Sequence, residues 1–229
     1  MTDRLVWIDC EMTGLDLARD ALIEIACLVT DGDLTVLDEG VDLVIKPPAE
    51  AIDQMQSVVR EMHTASGLLA ELPAGVTLAE AQDQVLSYVR RHVAEPRKAP
   101  LCGNSIATDR SFIARDMPEL DAYLHYRMVD VSSIKELARR WYPRAYFANA
   151  RTKHGGHRAL ADIKESIQEL RYYRAAVFVP PPGPDSARAR QIAARYTTRT
   201  GPDPRPPDGQ QPGTPEGGAP EAAESGSAQ

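Results

Sequence analysis

The run Leu5-Val6-Trp7-Ile8-Asp9-Cys10-Glu11-Met12-Thr13-Gly14-Leu15 narrows the folds open to this chain more than any other stretch. Four consecutive apolar residues, Leu5 to Ile8, leave no polar face for water. Residues 4–11 therefore read as a strand buried inside a sheet. The same strand ends in acid. Side chains two apart on a strand share a face, so Asp9 and Glu11 point the same way. Neighbouring carboxylates repel, and keeping both ionised is costly unless a cation lies between them. Taken alone, the pair reads either as solvated strand-end acids or as half of a cation site.

The remaining elements interleave strands and helices. Residues 21–30 (ALIEIACLVT) and 34–46 (LTVLDEGVDLVIK) read as strands around Asp31-Gly32-Asp33, an Asp-Gly hairpin signal. Thr77 and Glu80 form a capping box ahead of Leu78, Ala81, Val85, Leu86, Val89 and Val93 at helical spacing. APLCGN (99–104) and RMVDV (127–131) read as short strands. Residues 110–124 read as helical, interrupted or kinked by Pro118. Ser133 and Glu136 make a second capping box for a helix running to about Trp141, which Pro143 stops. The last helix spans about Ala159 to Val177, with Leu160, Ile163, Ile167 and Leu170 on one face. This alternation implies an α/β sheet with helices packed on it.

Composition breaks at about residue 180. Residues 180–229 hold 11 of the 18 prolines and 7 of the 15 glycines, too little apolar surface to offset chain entropy. The expected organisation is one folded domain, 1–179, and a disordered tail, 180–229. Within the tail, ARARQIAARYTTR (187–199) is basic and reads as a solvated segment or a transient helix. The chain has 43% apolar residues, enough for a core, and no uninterrupted apolar stretch long enough to span a membrane. MTDRLVW lacks the apolar core of a secretory signal. Cys10, Cys27 and Cys102 are odd in number and show no paired spacing, which argues against a disulfide framework or zinc site. A reducing, cytoplasmic setting is expected. The net charge of −7 speaks against a long polyanion held by general electrostatics, and leaves open a short anionic substrate gripped at a few points.

Two further segments bear on the acid pair. GNSIATD (Gly103–Asp109) places an acid just after a strand, where a helix begins. HGGHRALAD (154–162) places His157 and Asp162 around the start of the last helix. Five helical residues turn about 140°, so the two would not share a helical face. His157 therefore reads as a loop residue and Asp162 as lying one turn into the helix, each reaching one site from its own direction. Asp9, Glu11, Asp109 and Asp162 together make a hard oxygen set suited to Mg²⁺ or Mn²⁺. Two such ions about 3.5–4 Å apart clamp the attacking and leaving oxygens of a phosphoryl displacement. Histidine ordinarily titrates near pH ~6.5, which suits a general base for water.

With Asp9/Glu11, Asp109 and His157/Asp162 in place, the sequence resembles the DEDDh class of 3′-to-5′ exonucleases. Its closer resemblance is to the oligoribonucleases: WIDCEMTGLD, IEIACLVTD, HTASGL, GNSIATDRSF, MPELDAYLHYR, DVSSIKELARRW and HRALADI follow that family's order over roughly residues 4–177. The resemblance implies an RNase H-like fold, a mixed central sheet with helices on both faces. It implies that Asp9, Glu11, Asp109 and Asp162 carry two divalent cations, Mg²⁺ or Mn²⁺. His157 would then activate the water, and the products would be 5′-mononucleotides cut from the 3′ end of dinucleotides and short RNA. Leu15 matches an apolar wedge against the bases, and His63 a histidine near the substrate. Ser105, Tyr126, Arg127 and Ser132 match a cap on the substrate's 5′ phosphate. Tyr126, counted with His157 among the catalytic residues, is supplied in that family to the neighbouring subunit's site, so a homodimer is implied.

Arg127 is the physically sensible member of the cap, because a guanidinium can grip phosphate with two hydrogen bonds. Holding both substrate ends limits length and reconciles phosphate chemistry with an acidic chain. One departure stands out: Val58 lies where the family often carries an aromatic residue. YFANARTKHGG (146–156) is given no role beyond a mobile approach to His157. Two other classes are weighed against this reading, a broader DNA or RNA exonuclease and a binding module without turnover. The HYR match argues against the first, and the complete acid set with His157 against the second.

Overall fold

The computed structural model describes residues 3–149 and 156–196. Among them, β1 (Arg4–Met12), β2 (Leu22–Asp31), β3 (Val41–Val44), β4 (Pro100–Gly103) and β5 (His125–Asp130) form one sheet in the order β3-β2-β1-β4-β5. The helices are α1 (Ala49–Asp53), α2 (Ser57–Ala65), α3 (Leu68–Glu71), α4 (Leu78–His92), α5 (Ala107–Asp116), α6 (Pro118–Tyr123), α7 (Val131–Trp141), α8 (Pro143–Ala148), α9 (Ala159–Ala176) and α10 (Ser186–Ala194). β2 runs antiparallel to β1 and β3, whereas β4 is parallel to β1 and to β5. The sheet is therefore mixed, with β1 at its centre, as a strand with a continuous apolar run requires.

Both faces of β1 are covered. Val6, Ile8, Cys10 and Met12, with Ile25, Cys27 and Val29 of β2, pack against Val85 and Val89 of α4, Phe112 of α5 and Leu120 of α6. Trp7, with Ala26 and Leu28 of β2 and Cys102 of β4, packs against Val131 of α7 and Ile163 and Ile167 of α9. Trp7 is fully buried, and its Nε1 donates to Thr30 Oγ1 at 3.1 Å. Strand parity then puts Asp9 and Glu11 on the Trp7 side, under the helix that carries Asp162.

Local chemistry accounts for most boundaries. Thr77 accepts from the Glu80 amide while Glu80 accepts from the Thr77 amide, the two halves of the expected capping box. Pro118 ends one helix and takes the first position of the next, where a missing N–H is harmless. The cap of α7 is Asp130, whose carboxylate accepts from the Ser132 amide; the Ser133/Glu136 capping box expected from the sequence does not start that helix. β5 runs straight into α7, so the last strand residue reaches the free amides first. The strand expected over 34–46 shrinks to Val41–Val44, with isolated bridges from Val36 to Thr30 and from Ile45 to Val76. Leu34 (φ 70°) and Gly40 (φ 82°) both sit in the left-handed region, which a strand cannot accommodate.

The chain divides into two units, Met1–Pro180 and Pro181–Gln229. In the second, Asp185 caps α10 by accepting from the Arg188 amide, and every residue of the helix is exposed. The rest of the expected tail, from residue 197, lies outside the described residues. So do residues 150–155 of the segment expected to be a mobile approach to His157. Cys10, Cys27 and Cys102 are buried and unpaired. Among the described residues, no helix is long and apolar enough to cross a membrane.

Candidate active site

The acids gather at the carboxyl end of β1, where β1 and β4 run parallel. Asp109, in the first turn of α5, accepts from the Cys10 amide through Oδ1 at 2.9 Å, so it sits between Asp9 and Glu11 along the strand. Asp162 is in the first turn of α9, and His157 stands two residues before that helix. One ligand atom each from Glu11, His157 and Asp162 lie within 4.8 Å of one another. His157 is exposed, with φ 55° following Gly156 at the same φ, a sharp turn that aims the ring back toward the strand end.

Electrostatics couple the set. Burial, then the charges of Asp109, Asp162, Glu11 and Glu24, push the Asp9 carboxyl up to about 9. Burial, then Asp162, Glu24 and Asp109, push Glu11 up to about 8, with Arg158 pulling the other way. Burial pushes Asp109 up to about 7, against the lowering hydrogen bond from Cys10. Carboxyls this crowded stay ionised near neutrality only with positive charge among them. The donor chemistry fits hard divalent cations, which such a cluster of oxygens and one imidazole can hold.

The other expected site residues fall into separate places. His63 is fully buried near the end of α2. Its Nε2 lies 2.9 Å from the Met12 carbonyl and must carry the proton there. Nδ1 is 3.9 Å from a Glu11 oxygen and has no hydrogen-bond partner among the described residues, and burial lowers the imidazole pKa. Leu15 is 75% exposed on the loop after β1, an apolar side chain offered to solvent. Ser105 and Ser132 are brought together: their hydroxyls are 3.2 Å apart, and the Ser105 amide donates to both Ser132 Oγ and Asp130 Oδ1. Tyr126 and Arg127 form their own pair on the edge strand β5, where Arg127 Nε donates to the Tyr126 hydroxyl at 3.0 Å. Among the described residues, no hydrogen bond or ion pair joins this pair to the serines. Val58 is exposed on α2.

Sequence reasoning passed over Glu24, Arg158 and Glu71. Glu24 faces Glu11 across the β1–β2 ladder and is fully buried. It accepts from Arg158 Nε at 2.7 Å, and Arg158 also forks onto Glu71 at 2.9 and 3.0 Å. The available signal was a lone acid inside an otherwise apolar strand, ALIEIACLVT, because a buried charge demands a partner.

A sheet with acids converging on its central strand and an imidazole at their side defines a class, the metal-assisted nucleases. Residues 6–170 match the family model described as Exonuclease (RNase T). Among solved structures, the zinc-bound E. coli ExoI–ssDNA complex matches with TM-score 0.60 and 15% identity, covering 77% of this chain and 41% of that one. Exonuclease I of Methylocaldum szegediense matches with TM-score 0.55 and 20% identity, covering 76% of this chain and 41% of that one. At these identities the likeness is one of fold, the RNase H-like fold, and the chain spans about two-fifths of those proteins. Curated relatives are far nearer. The oligoribonuclease of Streptomyces griseus is 70% identical over 202 residues, covering 88% of this chain and 100% of its own. That of Cutibacterium acnes is 65% identical over 192 residues, covering 84% and 95%. The chain belongs to the oligoribonuclease family.

Proposed function

We propose that this protein is a 3′-to-5′ exoribonuclease that cleaves dinucleotides and short RNA to 5′-mononucleotides. The observation that carries the reading is the meeting of Glu11, His157 and Asp162 atoms within 4.8 Å, beside Asp9 and Asp109. Asp9, Glu11, Asp109 and Asp162 would hold two divalent cations, Mg²⁺ or Mn²⁺. When bound, these supply the positive charge that stabilises the developing charge on the phosphate oxygens and eases loss of a proton from water. His157 takes that proton as the water oxygen attacks the terminal phosphorus. The bond from phosphorus to the neighbouring 3′ oxygen breaks and that oxygen takes a proton from solvent, leaving a 3′-hydroxyl on the shortened RNA and a 5′-phosphate on the released nucleotide. The imidazolium at His157 can return its proton to solvent, to which it is open.

Leu15 wedges against the terminal bases, and His63, buried beside Glu11, backs the site from beneath. Ser105, Ser132, Arg127 and Tyr126 form the cap on the 5′ phosphate. The exposed pair on β5 supports assembly as a homodimer, with Tyr126 given to the neighbouring site. Tyr126 is 72% exposed, and Met128, Leu137, Trp141 and Phe147 are exposed as well, apolar surface of the kind that a partner covers. An acidic chain with a few aimed phosphate contacts suits short substrates. The three buried free thiols suit a reducing cytoplasm. We assign the catalytic domain to residues 1–179 and a tail to 180–229.

The test is a time course on 5′-labelled RNAs of two to twenty nucleotides with Mn²⁺. The reading expects fastest turnover at the shortest lengths and loss of turnover in Asp9→Ala. Equal rates at all lengths would remove the two-ended grip and favour a broader exonuclease. Wild-type protein that binds dinucleotide without cleaving it would favour the binding-module reading.

A further inference from the structure

The buried acid that faces the site from β2 carries a role of its own. Glu24 is 0% exposed, and a carboxylate sunk into a sheet interior is strongly unfavourable unless its oxygens are matched. Both are matched, and both partners belong to the start of α9. Oε1 accepts from Arg158 Nε at 2.7 Å, and Oε2 accepts from the Ala159 amide at 3.0 Å. Ala159 is the first residue of α9, so the carboxylate satisfies one of the helix's free amides and lies at the positive end of its dipole. Arg158, the N-cap residue, then spends its two terminal nitrogens on Glu71 of α3, at 2.9 and 3.0 Å. Bidentate charge-assisted bonds of this kind fix orientation as well as distance. One guanidinium thus ties β2, α3 and α9 together.

What this clamp holds is the chemistry-bearing end of α9. Arg158 follows His157 directly, and Asp162 lies within the first turn after it. His157 has φ 55°, a left-handed conformation that a non-glycine residue rarely adopts. Such a conformation persists only where the surroundings over-determine it. The clamp begins at the next residue, with Glu24 itself locked in register opposite Glu11.

We infer that Glu24 and Arg158 are positioning residues: through the α9 N-terminus they hold His157 in its turn and Asp162 against Glu11, and Glu71 steadies Arg158 from outside. This rests on the nuclease reading above, which wild-type turnover tests by itself; the clamp stands or falls on the variants.

The experiment compares Glu24→Gln, Arg158→Ala, Arg158→Lys and Glu71→Gln with wild type in the full-length chain. Four quantities are read: kcat and KM on a dinucleotide, Mn²⁺ affinity by electron paramagnetic resonance without substrate, hydrogen exchange at the Ala159 amide, and melting temperature. Removing groups that orient metal ligands from behind typically costs about 10–100-fold in activity or metal affinity. Glu24→Gln and Arg158→Ala should lose about that much kcat with KM within roughly threefold, weaken Mn²⁺ binding and speed Ala159 exchange. Glu71→Gln should lose less than about tenfold, because the inner contact survives. Arg158→Lys, which keeps the charge and loses the fork, should fall between.

A lowered melting temperature with kcat and Mn²⁺ affinity at wild-type values would make the clamp merely structural and overturn the inference. Where Glu24→Gln or Arg158→Ala fails to fold, Arg158→Lys and Glu71→Gln decide. Reduced kcat and weaker Mn²⁺ binding in the folded lysine variant support positioning. Wild-type values in both overturn it.

Discussion

The crowded carboxyls make the metal-free protein's stability fall as pH rises. In the folded chain Asp9 and Glu11 are pushed to about 9 and 8, whereas in the unfolded chain they ionise near their ordinary values, ~4. A carboxyl raised in the folded state contributes stability that is present below its unfolded pKa and lost as pH climbs through the folded one. Between pH 6.5 and 8 the folded state therefore holds protons that the unfolded state has already given up. Each such proton lowers stability by about 1.4 kcal/mol per pH unit. The two sites are coupled, so one shared proton is the safe count. For a chain of this size that is about 3–5 °C of melting temperature per pH unit. His63, whose imidazole pKa is lowered by burial, works in the opposite sense, offsetting part of the slope near pH 6.5 and almost none of it by pH 8.

Divalent cations bind the deprotonated acids, so they should raise the melting temperature more at pH 8 than at pH 6.5 and release protons as they bind. The assay is differential scanning calorimetry on chelator-stripped protein with and without Mn²⁺ at both pH values, beside Asp9→Asn. Removing one of the two acids should flatten the metal-free slope. A metal-free melting temperature that holds steady or rises from pH 6.5 to 8 would refute the electrostatic argument.

Other expected outcomes follow from single contacts. Arg127→Ala should slow dinucleotide cleavage by about 10–100-fold, the value of a charged hydrogen bond, and slow longer RNA less; competing rates on two- and ten-nucleotide RNAs check this. Trp7→Phe strands Thr30 Oγ1 inside the sheet and should cost about 1–3 kcal/mol in urea unfolding, with kcat of the folded fraction unchanged. Thr77→Ala removes the capping box of α4 and should cost about 1 kcal/mol by the same measurement. Trp141→Glu, at an exposed apolar residue on α7, should shift the protein toward monomer in sedimentation velocity and lower activity with it.

The sequence carried the fold wherever the deciding interaction was local. Leu5 to Ile8 announced a central strand, the Thr77–Glu80 pair announced a helix start, and Pro118 marked a break, because each signal and its consequence lie within a few residues. Parity along β1 also told that Asp9 and Glu11 share a face. Legibility failed where the partner was distant or where two local signals competed. Asp130 displaced Ser133 as the cap of α7 because the strand delivers its carboxylate to the free amides first. His63 is buried through its contact with Met12, 51 residues away, which no local pattern encodes. Glu24 and Arg158 are 134 residues apart, and only the fold shows that one answers the other's charge. The short helices α1, α2 and α3 went unread because none presents a long apolar stripe.

The most direct test of the whole account is anomalous scattering from crystals grown with Mn²⁺ and a non-hydrolysable dinucleotide. Two peaks are expected among the oxygens of Asp9, Glu11, Asp109 and Asp162, with the His157 ring facing the scissile phosphate. A single ion held elsewhere, or a phosphate bound away from those acids, would contradict it.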